Sequence, residues 1–191
     1  ALEAGGGNGV LLDYAILAER DFDEVAPWEI TRVPRGGLVF YPVSADSVRV
    51  AMGEVSYSVD EQGVVWLDMS AGAPVREGKI NANGREGWLA WVIDRQLYLK
   101  VYEPVSATQQ ATGEGDVEVY LSGSQAYIEL EVQGAAQPLK RGQRLQWQVR
   151  WLLRDLPADL KVGRGSAELV DYVRQQLPRA SVAMVSTPSV L

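Results

Sequence analysis

The sequence of 191 residues contains no cysteine and no histidine. Without cysteine, the chain has no disulfides, no thiolate metal sites and no cysteine nucleophile. Without histidine, it lacks the side chain that most often serves as a general base near neutral pH. Any catalysis would therefore depend on carboxylates, lysine, tyrosine, serine or a borrowed metal ion. We expect no resident cofactor and no built-in metal site, and we assign no catalytic residue.

Basic residues are fewer than acidic ones: the sequence has 18 Lys and Arg and 25 Asp and Glu, and its net charge is −7. Phosphate binding needs a clustered basic surface, and no long basic run interrupts the acidity. Nucleic acids and anionic membranes are therefore poor partners. No apolar stretch approaches the roughly 20 residues that span a bilayer, so we expect no membrane span.

Strand-like alternation dominates from about residue 27 onward. Apolar and polar residues alternate with a period of two in short runs bounded by Gly, Pro, Asn and Asp, a pattern typical of antiparallel β-structure. Turn residues between the runs favour hairpins. The candidate strands are 28–33, 37–43, 47–52, 54–59, 64–69, 87–93, 96–103, 116–122, 126–133 and 144–153. Strands at this spacing predict a mostly-β fold, an antiparallel two-sheet sandwich.

A single helix is predicted near the C-terminus, in "GSAELVDYVRQQLPR". Ser166 suits an N-cap, because its side chain can accept from the first free N–H groups of a helix. Leu169, Val170 and Val173 form an apolar stripe, and Pro178 ends the helix. We therefore expect one helix beside the sandwich, over a sheet edge or as an appendage.

The pattern divides the chain into a leader at 1–26, a β-sandwich domain at 27–160, and the C-terminal helix with its tail at 161–191. The leader is expected to be flexible or to wrap back onto the sandwich. It begins "ALEAGGGNG" without methionine, which fits a mature chain after signal cleavage, an artificial boundary or a fragment of a longer protein. The polar stretch 106–115 is expected to be a mobile loop or a lid.

The run 126–133 raises the main functional question. Its three apolar residues leave one face of the strand, whereas Glu129 and Glu131 leave the other. If the run pairs with 144–153, Arg150 lies within reach of these carboxylates. Two interpretations stay open: a solvated ladder of ion pairs, each contributing roughly 0–1 kcal/mol, or part of a binding face.

Neighbouring candidate strands carry similar side chains, since Lys100 lies between two tyrosines and Glu118 between an aspartate and a tyrosine. Carboxylates and amides hydrogen-bond sugar hydroxyls, and aromatic rings cover the apolar faces of pyranoses. Such strands on one face would form a saccharide platform. Glu129 and Glu131, at roughly 6.5–7 Å, fall within the glycosidase range, but they point in parallel, so hydrolysis is less favoured.

The segment 79–88, "KINANGREGW", offers Asn81 and Asn83 around a glycine. It resembles an oxygen-rich calcium loop only loosely, because the first Asp and the bidentate Glu are missing. We expect a turn stabilised by Asn side chains instead. Lys79 and Arg85 are alternative clamps for the carboxylate of an acidic sugar.

The tryptophans divide into core residues and ligand candidates. Trp88 and Trp91 leave opposite faces of their strand, so we expect one of them to lie nearer to solvent. Trp88 follows the Lys79 segment and is the better ligand candidate. The alternation elsewhere predicts a core between two sheets formed by Ile128, Leu130, Val132, Trp147, Val149 and Trp151.

Two long stretches carry a resemblance to a known family: "GKINANGREGWLAWVIDRQLYLKVYE" and "GDVEVYLSGSQAYIELEVQGAAQPLKRGQRLQWQVRWLLRDLP". The positions that carry it are Lys79, Gly87, Trp88, Leu89, Ala90, Glu118, Glu129, Leu130, Glu131, Gln133, Gly134, Gly142, Trp147, Arg150 and Trp151. They resemble a bacterial family of unknown function with a galactose-mutarotase-like β-supersandwich. Because "WEITRVPRGGLVFYP" is similar as well, the resemblance covers roughly 28–157.

The resemblance implies a supersandwich fold, which usually takes a longer chain than this one. We therefore expect a sheet edge that is covered by a partner or by the N-terminal region. Epimerases of the superfamily rely on histidines together with a glutamate base. Because the chain has no histidine, the mutarotase reaction is not carried over.

These observations favour a carbohydrate-recognition protein, non-catalytic or weakly catalytic, that is periplasmic or secreted in a bacterium. The alternatives are a carboxylate-dependent carbohydrate-active enzyme (hydrolase, lyase or isomerase) and a structural or assembly domain of a larger protein. The expected partners are a carbohydrate and either a second copy of the chain or a partner strand. The candidate ligand-binding residues are Lys79, Trp88, Lys100, Glu118, Glu129, Glu131 and Arg150.

Overall fold

The computed structural model describes residues 9–69, 76–124 and 126–178. Within these ranges the chain forms fourteen β-strands and one α-helix. The strands are β1 (Val10–Leu17), β2 (Phe22–Val25), β3 (Trp28–Pro34), β4 (Leu38–Pro42), β5 (Arg49–Gly53), β6 (Ser58–Val59), β7 (Val64–Asp68), β8 (Gly78–Ala82), β9 (Trp88–Ile93), β10 (Gln96–Tyr102), β11 (Val117–Leu121), β12 (Tyr127–Gln133), β13 (Gln137–Leu139) and β14 (Arg144–Asp155). The helix, α1, spans Ala167–Gln176. The first eight residues of the predicted leader and the tail beyond residue 178 lie outside the described residues.

Two larger sheets form the body of the protein. A seven-stranded sheet has the order β1-β14-β10-β9-β4-β7-β6, and a five-stranded sheet has the order β3-β12-β11-β8-β5. Paired strands run antiparallel in both. The two sheets pack as a sandwich, which confirms the predicted mostly-β fold with one helix near the C-terminus.

The core between the sheets is formed by the inward residues of both. The three apolar residues of β12 and Val149 of β14 are fully buried there. Trp147 and Trp151 pack against the same cluster but stay half-buried, since β14 lies next to the edge strand β1. Period-two alternation thus predicts the inward faces of these strands correctly.

A second apolar cluster lies on the opposite face of the seven-stranded sheet, under α1. Leu169, Val170 and Val173 of the helix are fully buried in it. Ser166 caps the helix as predicted, because its hydroxyl accepts from the Leu169 N–H at 3.2 Å. The helix is therefore a third layer on the sandwich. Among the described residues, no helix is long and apolar enough to cross a membrane.

Arg174 attaches the helix to the turn that precedes β9. Its guanidinium donates two hydrogen bonds to the Glu86 carboxylate, at 2.9 and 2.8 Å. The hydrogen bonding from Arg174 lowers the pKa of Glu86 to about 2, against the opposing effect of burial. The helix is thus held by both apolar packing and a bidentate ion pair.

The run 126–133 does not pair with 144–153, so the condition for a contact between its carboxylates and Arg150 is not met. β12 pairs with β3 and β11, whereas β14 pairs with β1 and β10 in the other sheet. The connection between β12 and β14 is not a hairpin turn, because Gln137–Leu139 form β13, which pairs with β2. The chain therefore passes from one sheet to the other between these two strands.

Other strands also differ from the candidate runs. Gly78–Ala82, expected to be a loop, forms β8 inside the five-stranded sheet. The run 54–59 contributes only Ser58–Val59 to a strand. Val10–Leu17, within the predicted leader, pairs with β14 along its whole length and forms one edge of the seven-stranded sheet.

Candidate functional site

The five-stranded sheet has one face in the core and a second face turned away from the seven-stranded sheet, which we call the outer face. Directly opposite residues on paired antiparallel strands project from the same side of a sheet, so the register sets the rows of this face. One row consists of Ile30, Glu131, Glu118, Asn81 and Arg49, and the next consists of Arg32, Glu129, Tyr120, Lys79 and Met52. Charged and polar side chains thus meet on one face from five separate strands.

Lys79 lies at the centre of the outer face. Its ammonium contacts the Glu118 carboxylate and lies 3.2 Å from Glu131 Oε2. Both carboxylates are buried, with side chains 0% and 2% exposed, whereas the Lys79 side chain is 22% exposed. The Lys79 Nζ also lies 4.9 Å from the centroid of the Trp28 ring. We call Trp28, Lys79, Glu118 and Glu131 the Lys79 cluster.

Trp28 closes the Lys79 cluster on its solvent side. It begins β3 and lies opposite Gln133 of β12, yet its ring reaches an ammonium on β8, with β12 and β11 in between. Adjacent strands are about 4.7–4.9 Å apart, so the indole must lean across the sheet to make this contact. Trp28 is still 44% exposed, and one side of its ring is therefore available to a ligand.

Burial and neighbouring charges set the protonation of the cluster. Burial raises the pKa of Glu118 to about 7, hydrogen bonding with Glu114 adds to the rise, and Lys79 opposes it. Burial also raises the pKa of Glu131, again opposed by Lys79. Burial alone would lower the pKa of Lys79, but the two carboxylates outweigh it and the net pKa is raised. Near neutral pH, Lys79 is therefore charged and Glu118 is divided between its two protonation states.

The segment 104–116 covers one end of the outer face. The N–H of Gly115 donates to Glu118 Oε1 at 3.3 Å. Thr112 donates to the Glu24 carboxylate of β2 through its N–H and its hydroxyl, both at 3.1 Å. The polar stretch predicted as a mobile loop or a lid is thus held to the sheet and to β2, and it contributes to the burial of Glu118.

The other end of the outer face contains a second group of charges and rings. Arg32 Nε donates to Glu129 Oε1 at 2.8 Å, and its guanidinium lies 4.6 Å from the centroid of the Tyr127 ring. The rings of Tyr127 and Tyr120 are 6.5 Å apart. The Tyr120 hydroxyl donates to Glu77 at 2.6 Å, and this hydrogen bond raises the pKa of Tyr120 to about 12. We call Arg32, Glu129 and Tyr127 the Arg32 cluster.

Four of the seven predicted ligand-binding residues lie on the outer face: Lys79, Glu118, Glu129 and Glu131. Lys100 does not, because β10 belongs to the other sheet and Lys100 points into the sandwich. It is fully buried, where its ammonium contacts Glu29 and the carbonyl of Leu130. Burial lowers the pKa of Lys100 to about 8, with Glu29 opposing the shift. Lys100 is therefore an inter-sheet contact, and its predicted role on the platform is wrong.

Trp88 and Arg150 are also placed away from the outer face. Trp88 is fully buried under the helix, where its Nε1 donates to Glu86 at 3.1 Å, and Trp91 is nearly as buried. The expectation that one of this pair lies nearer to solvent is therefore wrong. Arg150 lies opposite Val101 of β10, a residue that packs against the helix-side cluster. Arg150 thus leaves the helix-side face of the seven-stranded sheet and cannot pair with Glu129.

Trp28 and Arg32 were not among the ligand-binding residues predicted from the sequence. Both are in "WEITRV", where residues 28, 30 and 32 alternate with buried or half-buried ones. This alternation shows that the two side chains share a face with Ile30. What it does not show is that β3 pairs with β12, which is the contact that places them beside Glu129 and Glu131.

The segment 79–88 is partly a strand and partly a turn. Asn81 accepts from Arg49 Nε at 3.2 Å, and Arg85 donates to the Gln62 carbonyl at 2.8 Å. In the part of the chain that the structure describes, no group of three or more His, Cys, Asp or Glu residues could hold a metal ion. The segment therefore contributes Lys79 and Asn81 to the outer face through β8.

The fold and the outer face define a two-sheet β-sandwich protein with a polar and aromatic sheet surface. Residues 20–154 match the family model described as Domain of unknown function (DUF4380). The chain belongs to this family, and the matched region includes every strand of the five-stranded sheet. No curated protein and no solved structure shows a significant match to the chain.

Proposed function

We propose that the protein recognises a carbohydrate through its outer face, with no catalysis or only weak catalysis. The observation that carries the proposal is the exposed indole of Trp28 beside the Lys79 ammonium and its two carboxylates. An indole covers the apolar face of a pyranose, and adjacent charged groups hydrogen-bond its hydroxyls. The exposed Trp28 ring and the partly exposed Lys79 ammonium supply these two kinds of contact, and the buried carboxylates of Glu118 and Glu131 hold the ammonium in place.

The burial of two carboxylates distinguishes the Lys79 cluster from a solvated ladder. Exposed ion pairs contribute little and need no buried partner, whereas removing carboxylates from water is unfavourable even when they are paired. Glu118 and Glu131 are nevertheless almost fully buried. Perturbed carboxyl groups of this kind are concentrated at functional sites, and this supports a binding role for the Lys79 cluster.

A glycan array followed by calorimetric titration tests the proposal. In Trp28→Ala the ring contact is lost, and we expect affinity for the selected glycan to fall about tenfold or more, a loss of about 1.4 kcal/mol. Glu131→Gln removes the charge but keeps the shape and should also weaken binding. Tyr57→Ala is the matched control, because Tyr57 is a comparably exposed ring that belongs to none of the strands of the five-stranded sheet.

Circular dichroism melting shows whether each variant is folded before it is titrated. The proposal fails if no glycan binds the wild-type protein. It also fails if a bound glycan is held equally well by Trp28→Ala, Glu131→Gln and Tyr57→Ala.

The state of Glu118 favours a second candidate, a carboxylate-dependent carbohydrate-active enzyme. A carboxyl with a pKa of about 7 can act as a general acid near neutral pH. Hydrolase, lyase and isomerase activities should be screened with the wild type and with Glu118→Gln. Turnover that depends on pH near 7 and is abolished by Glu118→Gln would favour the enzyme over simple recognition.

The proposal includes a galactose-mutarotase-like relationship and a periplasmic or secreted location in a bacterium. The stacking of two antiparallel sheets is compatible with that relationship, and the resemblance at the sequence level supports it. Fractionation of cells that express the native protein, followed by antibody detection, tests the location. Recovery in the cytoplasmic fraction would contradict it.

A further inference from the structure

The outward side chains of β3 form an exposed row. Within the described residues, β3 is an edge strand of the five-stranded sheet and pairs only with β12. Trp28 is 44% exposed and Ile30 48% exposed, and the Arg32 side chain is 66% exposed. All three point to the outer face, because their partners on β12 include Glu129 and Glu131. The row therefore extends the Lys79 cluster along the strand.

The length of this row exceeds the size of one sugar. A strand rises about 3.3 Å per residue, so the Cα atoms of Trp28 and Arg32 are about 13 Å apart. A pyranose is a six-membered ring built from bonds of about 1.5 Å, and a single ring can cover only one end of the row. A ligand that contacts both ends must have several linked units.

The two ends of the row repeat one combination of side chains. The Lys79 cluster joins an aromatic ring, a cation and a carboxylate in Trp28, Lys79 and Glu131. The Arg32 cluster does the same with Tyr127, Arg32 and Glu129. Repeated recognition elements suit a ligand with repeated units, and Ile30 provides an apolar surface between them.

We propose that the ligand is a linear oligosaccharide that lies along β3, with one sugar at the Lys79 cluster and another at the Arg32 cluster. This inference rests on the proposed function, because it assigns a chain length and an orientation to the carbohydrate of that site. Arg32 becomes the residue that determines specificity for longer chains. Charge is balanced within the Arg32 pair, and the Lys79 cluster has one ammonium against two carboxylates, so neither cluster requires an anionic ligand.

Calorimetry with a length series tests this inference. The probes are cello-, manno-, chito- and galacturono-oligosaccharides, each from the monosaccharide to the hexasaccharide. For the series that binds, we expect affinity to rise about tenfold or more from the monosaccharide to the longer chains and then to level off. Trp28→Ala should weaken every member that binds. Arg32→Ala should remove most of the gain in affinity between the short chains and the longer ones, because only the longer chains contact both clusters.

Lys140→Ala is the matched control for Arg32→Ala, because Lys140 also forms an exposed ion pair, with Asp21. Affinity that is independent of length, or an Arg32→Ala variant that binds long chains as the wild type does, overturns the inference and leaves the proposed function intact. The absence of binding to any carbohydrate overturns both. Capture of an extended peptide in a Trp28-dependent manner, without any saccharide binding, assigns the row to a protein partner and also overturns both.

Discussion

Two lysines of this protein contact glutamates on opposite sides of the five-stranded sheet. On the outer face, Lys79 contacts Glu118 and Glu131 and remains partly exposed. Between the sheets, Lys100 contacts Glu29 and is completely buried. The net pKa of Lys79 is raised, whereas burial lowers that of Lys100 to about 8.

The comparison shows what distinguishes a structural ion pair from a candidate binding site. Lys100 has one carboxylate and a backbone carbonyl as partners, and solvent does not reach it. Lys79 has two carboxylates and an aromatic ring, and a ligand can approach it. The first arrangement joins two sheets, and the second presents charge to an exposed surface. Variants of each pair should therefore affect different properties.

The largest effect is expected from Glu29→Ala, which leaves the Lys100 ammonium buried without its carboxylate. Breaking a buried pair from one side destabilises by about 3–5 kcal/mol, and Thr31 also loses its 2.7 Å hydrogen bond to Glu29. Urea unfolding measures the change. Glu129→Ala, which breaks the partly exposed pair with Arg32, is the control and should change stability far less. Equal losses in the two variants would remove the distinction between the two regions.

Replacing both members of the inter-sheet pair should restore most of the lost stability. In Glu29→Leu combined with Lys100→Met, no buried charge is left, and apolar replacements of buried pairs are often neutral or stabilising. We expect the free energy of unfolding of the double variant, measured in urea, to lie within about 1 kcal/mol of the wild-type value. A double variant as unstable as Glu29→Ala would show that the pair stabilises the fold in its own right.

The Lys79 cluster should make the stability of the protein depend on pH, through the titration of Glu118. The pKa of Glu118 is about 7 in the folded protein against an ordinary value of 4.5, so the folded state binds more protons between these values. The contribution of protonated Glu118 to the free energy of unfolding is fully present below about pH 4.5 and is lost as the pH rises through about 7. Glu118→Gln mimics the protonated acid and should gain stability relative to the wild type over that interval.

Urea unfolding of the wild type and Glu118→Gln at several pH values measures this difference. The Lys79 side chain is unchanged in the variant but loses one of the two carboxylates that raise its pKa, so the two proteins are compared between about pH 4.5 and about 7, where Glu118 itself titrates. A stability difference that stays constant from acidic to alkaline pH would contradict a raised pKa for Glu118.

The smallest effect on stability is expected from Arg32→Ala. The Arg32 side chain is 66% exposed, and exposed pairs contribute little. We expect the melting temperature to match that of Lys140→Ala, which breaks another exposed pair. A clear loss of stability in Arg32→Ala but not in Lys140→Ala would show that the Arg32 cluster stabilises the sheet and is not primarily a ligand-binding site.

Local alternation was sufficient to predict much of the fold. It identifies the inward residues of β12 and the capping of α1 by Ser166, because these depend on neighbours in sequence. It also identifies Glu118 and Glu131 as polar outward residues, whereas Lys79 was selected as a residue of an expected turn and not of a strand. Their assembly into one cluster depends on the adjacency of β8, β11 and β12, which no local pattern specifies.

The wrong site assignments have a common physical cause. Lys100 and Arg150 lie in strands whose alternation is clear, but their sheet is decided by long-range pairing. The segment that contains β13 connects β12 in one sheet to β14 in the other, so these two strands do not form a hairpin. Trp88 is hidden because α1, far along the chain, covers its face. Alternation with a period of two shows which residues share one face of a strand. It does not show whether that face is covered by another sheet, by the helix or by solvent.

The most direct test of the binding face is an NMR titration that follows the six tryptophan indole N–H signals as an oligosaccharide is added. We expect the indole signal of Trp28 to shift most, together with backbone amide signals of β3, β8, β11 and β12. The indole signals of the buried Trp66 and Trp88 should stay in place. Trp147 and Trp151 provide the rival outcome, because their buried indole N–H groups have no hydrogen-bond partner among the described residues. Shifts confined to these two, with Trp28 unchanged, would place the ligand between the sheets and contradict a site on the outer face.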